Sequence, residues 1–207
     1  MTTTPDEQGI APTPNPPRRP ISRFFLRLIG WSADIRPVPP KYVLIGSPHT
    51  SNWDFPLALL LLRVIGTEGH WIAKHTVFRW PLGWIMRRLG GLPVDRTASH
   101  NFVDQIVQLF DESDHLVITI APEGTRKKTA HWRTGFYYIA LGAGVPIVLG
   151  YLDYKNKRGG LGPTLQPSGD IDADLELMRE FYADKTGRHP VKTGRIAVAR
   201  PQKNDRT

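Results

Sequence analysis

From Lys41 onward, short apolar runs rich in β-branched residues alternate with segments that carry apolar residues at helical spacing. Apolar runs without polar alternation are typical of strands that helices cover on both faces. We therefore predict a single-domain α/β sandwich with a central, mostly parallel sheet flanked by helices. The predicted strands are residues 42–45, 116–120, 146–152 and 196–199. The predicted helices are residues 57–65, 80–89, 101–110, 135–141 and 175–182.

The chain has 207 residues, enough for one domain with a sizeable core, and it shows no internal repeat. We predict that this domain spans residues 32–200. Residues 1–20 contain six prolines and few apolar side chains, so we predict a disordered tail there. Residues 201–207 are predicted to form a second disordered tail. Residues 156–167 are rich in glycine and proline and are predicted to be a surface loop.

The formal net charge of +8 favours anionic partners, which include phosphorylated substrates, anionic lipid surfaces and nucleic acid. The chain contains no cysteine, which excludes disulfides, thiolate metal sites and a cysteine nucleophile. No apolar run reaches the roughly 18 residues that a membrane-spanning helix needs. The first residues also lack the apolar stretch of a standard signal peptide. We therefore expect neither a spanning helix nor a signal peptide.

Residues 21–31 carry apolar side chains at the spacing of one helical face, with arginines before and among them. The apolar residues are Ile21, Phe24, Phe25, Leu28 and Ile29. A basic amphipathic helix with aromatic residues is typical of a membrane interface, and we predict that role for residues 21–31. The alternative is a helix that covers the core of the domain.

His49 and Asp54 stand five residues apart, just after the first predicted strand. Pro48 disfavours helical geometry before it, whereas Ser51 and Asn52 are good caps for a helix that begins after them. We therefore place His49 on a strand-to-helix turn and Asp54 in the first helical turn. There the carboxylate can bond one imidazole nitrogen and leave the other free to take a proton. The alternative is a solvated histidine and a carboxylate that only favours the helix start.

A second cluster follows the predicted strand 116–120, where the chain reads Ala-Pro-Glu123-Gly124-Thr125-Arg126 and continues with two lysines. Ligands of open α/β sheets bind at the carboxyl ends of the strands. Arginine is well suited to bidentate recognition of phosphate. The sequence therefore indicates an anion site at this turn, and the alternative is an exposed turn with a charged rim.

A third cluster, residues 90–96, follows the predicted helix 80–89 and begins with two glycines that fit the end of a helix. It ends in Arg96, and Lys74 adds another cation upstream. Both cations are candidates for binding an anionic substrate. The alternative for Arg96 is an ion pair with a surface carboxylate.

Taken in order, these stretches resemble the glycerolipid acyltransferase family, typified by bacterial 1-acylglycerol-3-phosphate acyltransferases. The family's His-x4-Asp motif matches residues 49–54, and its glycine-to-arginine motif matches residues 90–96. Its Glu-Gly-Thr-Arg motif matches residues 123–126, and its apolar motif around a proline matches residues 145–148. The resemblance extends over about residues 43–152.

The resemblance implies transfer of a fatty acyl group from acyl-CoA or acyl carrier protein to a hydroxyl of a lysophospholipid such as 1-acylglycerol-3-phosphate. It implies that His49 is the general base and that Asp54 orients it. The residues expected to bind substrate are Lys74, Arg96, Glu123, Gly124, Thr125 and Arg126. Among them, the three cations suit the acceptor's phosphate, Glu123 suits the arginines or an acceptor hydroxyl, and backbone N–H groups near Gly124 suit the oxyanion. The donor is a co-substrate, and neither a cofactor nor a metal is expected.

The expected partners are the thioester donor, the lysophospholipid acceptor and an anionic membrane surface. We expect a peripheral protein on the cytoplasmic face of the cell membrane. A nucleic-acid binding module would suit the charge, but no RNA-binding, zinc or helix-turn-helix pattern is present. A metal-dependent hydrolase would use some of the seven histidines, which lack metal-binding spacing. The main alternative is the same chemistry on a glycolipid, an amino-acid lipid or an unphosphorylated lysolipid.

Overall fold

The computed structural model describes residues 19–81, 83–94 and 99–199, which form one seven-stranded sheet with helices on both faces. The strands are β1 Ser32–Asp34, β2 Lys41–Ser47, β3 Gly69–Lys74, β4 Gly91–Val94, β5 Leu116–Ile120, β6 Ile147–Asp153 and β7 Arg158–Leu165. Their order across the sheet is β1-β7-β6-β2-β5-β3-β4. All neighbouring strands pair in parallel except β6 and β7, which pair antiparallel.

The helices divide between the two faces of the sheet. They are α1 Pro20–Leu28, α2 Asp54–Ile65, α3 Gly83–Arg88, α4 Ser99–Asp111, α5 Gly135–Gly142 and α6 Ile171–Tyr182. Leu26 of α1 and Leu61 of α2 belong to the core cluster on one face. Phe110 of α4, Ile139 of α5 and Met178 of α6 belong to the cluster on the other face. The predicted α/β sandwich with a mostly parallel sheet is thus confirmed.

The central strand β2 shows why its sequence has no polar alternation. Val43 and Ile45 pack into the cluster formed with α4, α5 and α6, whereas Tyr42 and Leu44 pack into the cluster formed with α1 and α2. All four side chains are buried because successive residues of a strand point to opposite faces and helices cover both.

Two predictions for the second half of the chain are wrong. The predicted surface loop 156–167 contains β7, an internal strand of the sheet. Gly160 of β7 has a φ of 149° and passes so close to the backbone of Asp34 that a Cβ would clash there. The predicted strand 196–199 makes only a single β-bridge, between Val198 and Trp132, because its apolar residues pack beside the core rather than in the sheet.

Besides β7, three more strands were not predicted from the sequence, namely β1, β3 and β4. β1 and β4 are the two edge strands and have three and four residues. Pro93 lies in β4, where a missing backbone N–H is tolerated because the strand has a neighbour on one side only. The predicted helix 80–89 is shorter than expected and begins at Gly83.

The N-terminal helix α1 leaves most of its apolar side chains exposed. Leu26 is its buried residue and anchors the helix in the core beside α2. The exposed apolar residues of α1 and the turn after it are Ile21, Phe24, Phe25, Leu28 and Ile29. Among the described helices, none is long and apolar enough to cross a membrane.

Candidate active site

The carboxyl ends of β2 and β5 bring two of the predicted clusters together. These strands pair in parallel from Lys41 with Leu116 to Ile45 with Ile120, so the turns that follow them lie at the same edge of the sheet. The turn after β2 carries His49, and the turn after β5 carries Glu123. The two clusters are therefore parts of one site.

His49 and Asp54 are in direct contact. The Nδ1 atom of His49 lies 3.1 Å from Oδ2 of Asp54. Asp54 is buried, whereas the side chain of His49 retains 22% of its exposure. An ionised carboxylate only accepts hydrogen bonds, so Nδ1 carries the imidazole proton and Nε2 offers a free lone pair.

Asp54 accepts hydrogen bonds on both of its oxygens. Oδ2 also accepts the backbone N–H groups of Thr50 and Ser51, each at 2.8 Å, and Oδ1 accepts the hydroxyl of Tyr154 at 2.7 Å. Burial alone raises the pKa of Asp54, but the hydrogen bonds from His49, Tyr154 and the two backbone N–H groups outweigh it. The pKa of Asp54 therefore lies below its usual range, and the group is a fixed negative charge.

The Asp54 carboxylate, rather than a side-chain cap, fixes the entry into α2. The N-cap residue is Trp53, and no side chain caps the helix there, although Ser51 and Asn52 are predicted to do so. Ser51 instead accepts the backbone N–H of Trp53 at 3.2 Å. The carboxylate holds the backbone N–H groups of Thr50 and Ser51 upstream of the helix, so the turn folds back and His49 meets Asp54.

Tyr154 belongs to the site although its sequence context gave no motif. It directly follows β6, which pairs in parallel with β2 and so ends at the same edge of the sheet. Its ring packs edge-to-face on Trp31, with centroids 5.0 Å apart. Burial, followed by the hydrogen bond to Asp54, raises the pKa of the Tyr154 hydroxyl, which therefore stays a donor. The one feature of the sequence that could have indicated its role is its position at the carboxyl end of a predicted strand, where ligands of α/β sheets bind.

The segment after α6 packs on the turn that carries His49. The backbone N–H of His189 donates to Oγ1 of Thr50 at 3.1 Å, and the backbone N–H of Tyr154 donates to the carbonyl of Thr186 at 2.8 Å. Gly187 is buried, and a Cβ at this position would lie 2.9 Å from the side chain of Thr50. Only glycine fits at this contact, which allows the segment to pack against Thr50 of the turn.

Glu123 positions the backbone of the same turn. Its Oε1 atom accepts the hydroxyl of Ser47 at 2.6 Å and the backbone N–H of His49 at 3.1 Å. Burial raises the pKa of Glu123, although these two hydrogen bonds act in the opposite direction. Its Oε2 atom is buried and has no hydrogen-bond partner among the described residues. One oxygen of Glu123 therefore positions His49, and the other is unused.

The structure describes the remaining predicted binding residues to different extents. Gly124 and Thr125 lie in an exposed turn, where the N–H of Gly124 donates to the carbonyl of Ala121 at 3.0 Å. Lys74 is the last residue of β3, but its side chain lies outside the described part of the structure. Arg96 lies outside the described residues altogether.

A cavity of about 510 Å³ opens beside His49 and Asp54 between the sheet and α2. Its volume lies within the range of small-molecule sites, roughly 300–1,000 Å³. Most of its lining is apolar, with polar exceptions that include His49, Asp54 and Arg126. The apolar walls include Leu44, Phe55, Ala58, Leu61, Leu62, Ile65, Ile120, Leu152 and Leu161. The arrangement can bind a long apolar group with its reactive end at the histidine.

The site residues are not grouped as metal ligands. In the ranges that the structure describes, no three histidine, aspartate or glutamate side chains are close enough together to hold a metal ion. His49 and Asp54 bond each other, and Glu123 bonds a hydroxyl and a backbone N–H. These side chains are therefore engaged with one another and with the backbone of the turn.

Comparisons with known proteins show the family of the chain and its likeness to solved structures. A model of the acyltransferase family matches residues 34–149, more than half of the chain. The 1-acyl-sn-glycerol-3-phosphate acyltransferase of Haemophilus influenzae is 28% identical over 116 residues, which cover 52% of this chain and 46% of that protein. The chain thus spans about half the length of the curated relative that it matches.

Among solved structures, the 1-acyl-sn-glycerophosphate (LPA) acyltransferase PlsC from Thermotoga maritima superimposes with a TM-score of 0.55. The sequence identity is 17%, and the superposition covers 77% of this chain and 72% of that one. At this identity the likeness shows a shared fold. Tyr154 and the segment after α6 lie beyond the residues that the family model matches.

Proposed function

Because the chain belongs to the acyltransferase family, we propose that it moves a fatty acyl group from a thioester to the hydroxyl of a lysophospholipid. The donor is acyl-CoA or acyl carrier protein, and the acceptor is a lipid such as 1-acylglycerol-3-phosphate. The observation that carries the proposal is the hydrogen bond between His49 and Asp54 on the wall of the apolar cavity.

His49 is the general base of the proposed reaction. A lipid hydroxyl is a weak nucleophile at neutral pH and needs a base with a pKa near the working pH, which an imidazole provides. Nε2 of His49 takes the hydroxyl proton while the oxygen attacks the thioester carbonyl. Asp54 keeps the proton on Nδ1 and stabilises the imidazolium that forms. The imidazolium then returns its proton to the departing thiolate.

The oxyanion of the tetrahedral intermediate needs hydrogen-bond donors that are already in place. The N–H of Gly124 bonds the carbonyl of Ala121 within the turn, which removes it from this role in the present arrangement. The neighbouring backbone N–H groups of Thr125 and Arg126 are our candidates. They lie on the same turn as Glu123, which itself contacts the backbone of His49.

The apolar cavity accommodates the acyl chain of the donor. Burial of apolar surface contributes roughly 25 cal/mol per Å², so a long chain binds there strongly without any polar contact. His49 lines the same cavity and therefore lies near the carbonyl at the end of the chain. This placement favours a lipid thioester over a short polar one.

The acceptor's phosphate is assigned to the cations around the site. Arg126 is exposed and lines the cavity beside His49, where its guanidinium can form a bidentate contact with phosphate. Lys74 and Arg96 remain candidates for the same phosphate. The alternative acceptors, a glycolipid, an amino-acid lipid or an unphosphorylated lysolipid, would make less use of these cations.

Helix α1 attaches the protein to the membrane in this proposal. Phe24, Phe25 and Leu28 are exposed, so they are free to enter a lipid interface, and Arg23 and Arg27 lie among them. The alternative role of covering the core uses only one buried residue of this helix. We therefore place the protein as a peripheral protein on the cytoplasmic face, where anionic lipids attract cations.

The proposal is tested by release of free thiol from palmitoyl-CoA, with lysophosphatidate and unphosphorylated monoacylglycerol as parallel acceptors. We expect release that depends on lysophosphatidate. Arg126→Ala should raise KM for lysophosphatidate by about tenfold or more and change the monoacylglycerol reaction little, because a charged hydrogen bond contributes about 1.5–3 kcal/mol. Lys127→Ala, an exposed neighbour outside the cavity lining, is the matched control. An equal rise in KM for both acceptors would show that Arg126 does not bind the phosphate.

A further inference from the structure

A second cavity, of about 230 Å³, is lined by Glu123. Its lining includes Glu123, Trp132, Arg179, Tyr182, Lys185 and Thr193. Most of this wall comes from α6 and the segments after it, which lie beyond the residues matched by the family model. Ser47 and Pro48 line this cavity and also the apolar cavity beside His49.

Two polar atoms of the cavity-lining residues are buried without a hydrogen-bond partner in the described part of the chain. One is Oε2 of Glu123, a residue that is 7% exposed, and the other is Nε of Arg179. A buried polar atom without a partner costs about 1–3 kcal/mol, so each of these atoms is expected to bind something. Oε2 requires a hydrogen-bond donor, and Nε requires an acceptor.

The two cations among these lining residues already have carboxylate partners, which limits the kind of ligand that the cavity requires. Arg179 forms an ion pair with Glu176, and Nζ of Lys185 lies 2.5 Å from Oδ1 of Asp184. Neither cation therefore requires an anionic ligand. A hydroxyl group both donates and accepts, so a neutral ligand with neighbouring hydroxyls satisfies Glu123 and Arg179 together.

The size of the cavity fits a head group and not an acyl chain. A volume of 230 Å³ corresponds to roughly seven to eight water molecules at about 30 Å³ each. The apolar cavity has more than twice this volume. Ser47 and Pro48 line both cavities and directly precede His49, so both cavities border the turn that carries the catalytic base.

We propose that the cavity between Glu123 and Arg179 binds a hydroxylated head group, such as a glycerol esterified to the phosphate of the acceptor. This inference rests on the proposed function and names an acceptor class for the same site. The head group's hydroxyls donate to Oε2 of Glu123 and accept from Nε of Arg179. The protein then uses lysophospholipids with a polyol head in addition to lysophosphatidate.

The test compares KM values for lysophosphatidylglycerol and lysophosphatidate with palmitoyl-CoA as donor. Arg179→Met removes the guanidinium and keeps an unbranched side chain that ends near the position of Nε. Arg195→Met is the matched control, because Arg195 is an exposed arginine of the same C-terminal region that lines neither cavity. Glu123 is left intact because its other oxygen positions His49. Thermal unfolding checks that each variant is folded.

We expect wild-type protein to use lysophosphatidylglycerol. Arg179→Met should raise the KM for this lipid relative to that for lysophosphatidate by about tenfold or more, the effect of one hydrogen bond from a charged group. The control should leave the ratio unchanged. Glycerophosphoglycerol, which has the head group without an acyl chain, should inhibit the wild-type reaction competitively, a result that requires no variant.

Three results would overturn the inference. Wild-type transfer to lysophosphatidate without any to lysophosphatidylglycerol would show that the cavity excludes the head group, while the proposed function stands. An unchanged KM ratio in Arg179→Met, or no inhibition by glycerophosphoglycerol, would show that the head group does not bind in the cavity and that ordered water fills it. Absence of transfer to either lipid would instead contradict the proposed function itself.

Discussion

The two buried carboxylates of the site, Asp54 and Glu123, are held in different ways. Asp54 accepts four hydrogen bonds, and both of its oxygens are used. Glu123 accepts two, both on Oε1, while Oε2 has no partner in the described ranges. Accordingly, the pKa of Asp54 lies below its usual range, and burial raises the pKa of Glu123.

This difference indicates separate tasks for the two groups. Asp54 contacts the imidazole of His49, which becomes cationic in the proposed reaction, so the charge of Asp54 matters there. Glu123 contacts a hydroxyl and a backbone N–H, which are neutral throughout, so its role is to place the turn. Oε2 of Glu123 has no partner in the described ranges and can accept a hydrogen bond from a ligand, whereas both oxygens of Asp54 already accept hydrogen bonds within the protein.

The largest expected difference between the two groups appears when each carboxylate is replaced by its amide. Asp54→Asn removes the charge that stabilises the imidazolium, so kcat should fall by about 10²- to 10⁴-fold. Glu123→Gln keeps an oxygen that accepts from Ser47 and His49, so kcat should fall by less than about tenfold. Both are measured as acyl transfer to lysophosphatidate.

Glu123→Leu is the control for this comparison. It leaves the Ser47 hydroxyl and the His49 N–H buried without an acceptor, so we expect a larger loss of kcat than in Glu123→Gln and a lower unfolding temperature. The comparison would break if Glu123→Gln lost as much activity as Asp54→Asn, because the charge of Glu123 would then take part in the reaction.

A smaller effect is expected from Tyr154→Phe, which removes one of the four hydrogen bonds of Asp54. The pKa of Asp54 should rise towards its ordinary value, and kcat should fall by only a few-fold because His49 keeps its partner. The free energy of unfolding at pH 7 should fall by about 1.5–3 kcal/mol, the contribution of a hydrogen bond to a charged group. Urea unfolding and initial rates measure the two quantities.

The pH dependence of the difference in unfolding free energy between wild type and Tyr154→Phe distinguishes loss of the hydrogen bond to Asp54 from loss of packing. A carboxyl with a lowered folded-state pKa contributes stability above its unfolded-state pKa, and this stability is lost as the pH falls through the folded-state value. The difference between wild type and Tyr154→Phe should therefore shrink as the pH falls below about 4. A difference that is independent of pH would assign the whole effect to the packing of Tyr154 against Trp31.

The sequence was sufficient to predict the parts of the site that local chemistry determines. The buried strand before His49 reads as an apolar run, and the turn residues around Pro48 place the helix start near Asp54. The strand before Glu123 was predicted with the bounds that the structure shows, Leu116–Ile120. These elements are short in sequence, and their patterns depend only on burial by helices on both faces.

The parts that could not be predicted depend on contacts between distant segments. Gly160 contributed to the prediction of a loop because glycine is common in loops. In the folded chain this position requires a glycine because the backbone of Asp34 passes next to it. Tyr154 contacts Asp54 from 100 residues away, and Gly187 packs against Thr50 only in the folded chain. No spacing rule within the sequence links these pairs.

The central claim is that His49 and Asp54 act as one base, and a double-mutant cycle tests it most directly. Acyl transfer from palmitoyl-CoA to lysophosphatidate is measured for wild type, His49→Ala, Asp54→Asn and the double variant. We expect the double variant to match His49→Ala within about twofold, because a positioning carboxylate has no task once the imidazole is gone. Losses that multiply would show that Asp54 acts independently of His49 and would contradict the claim.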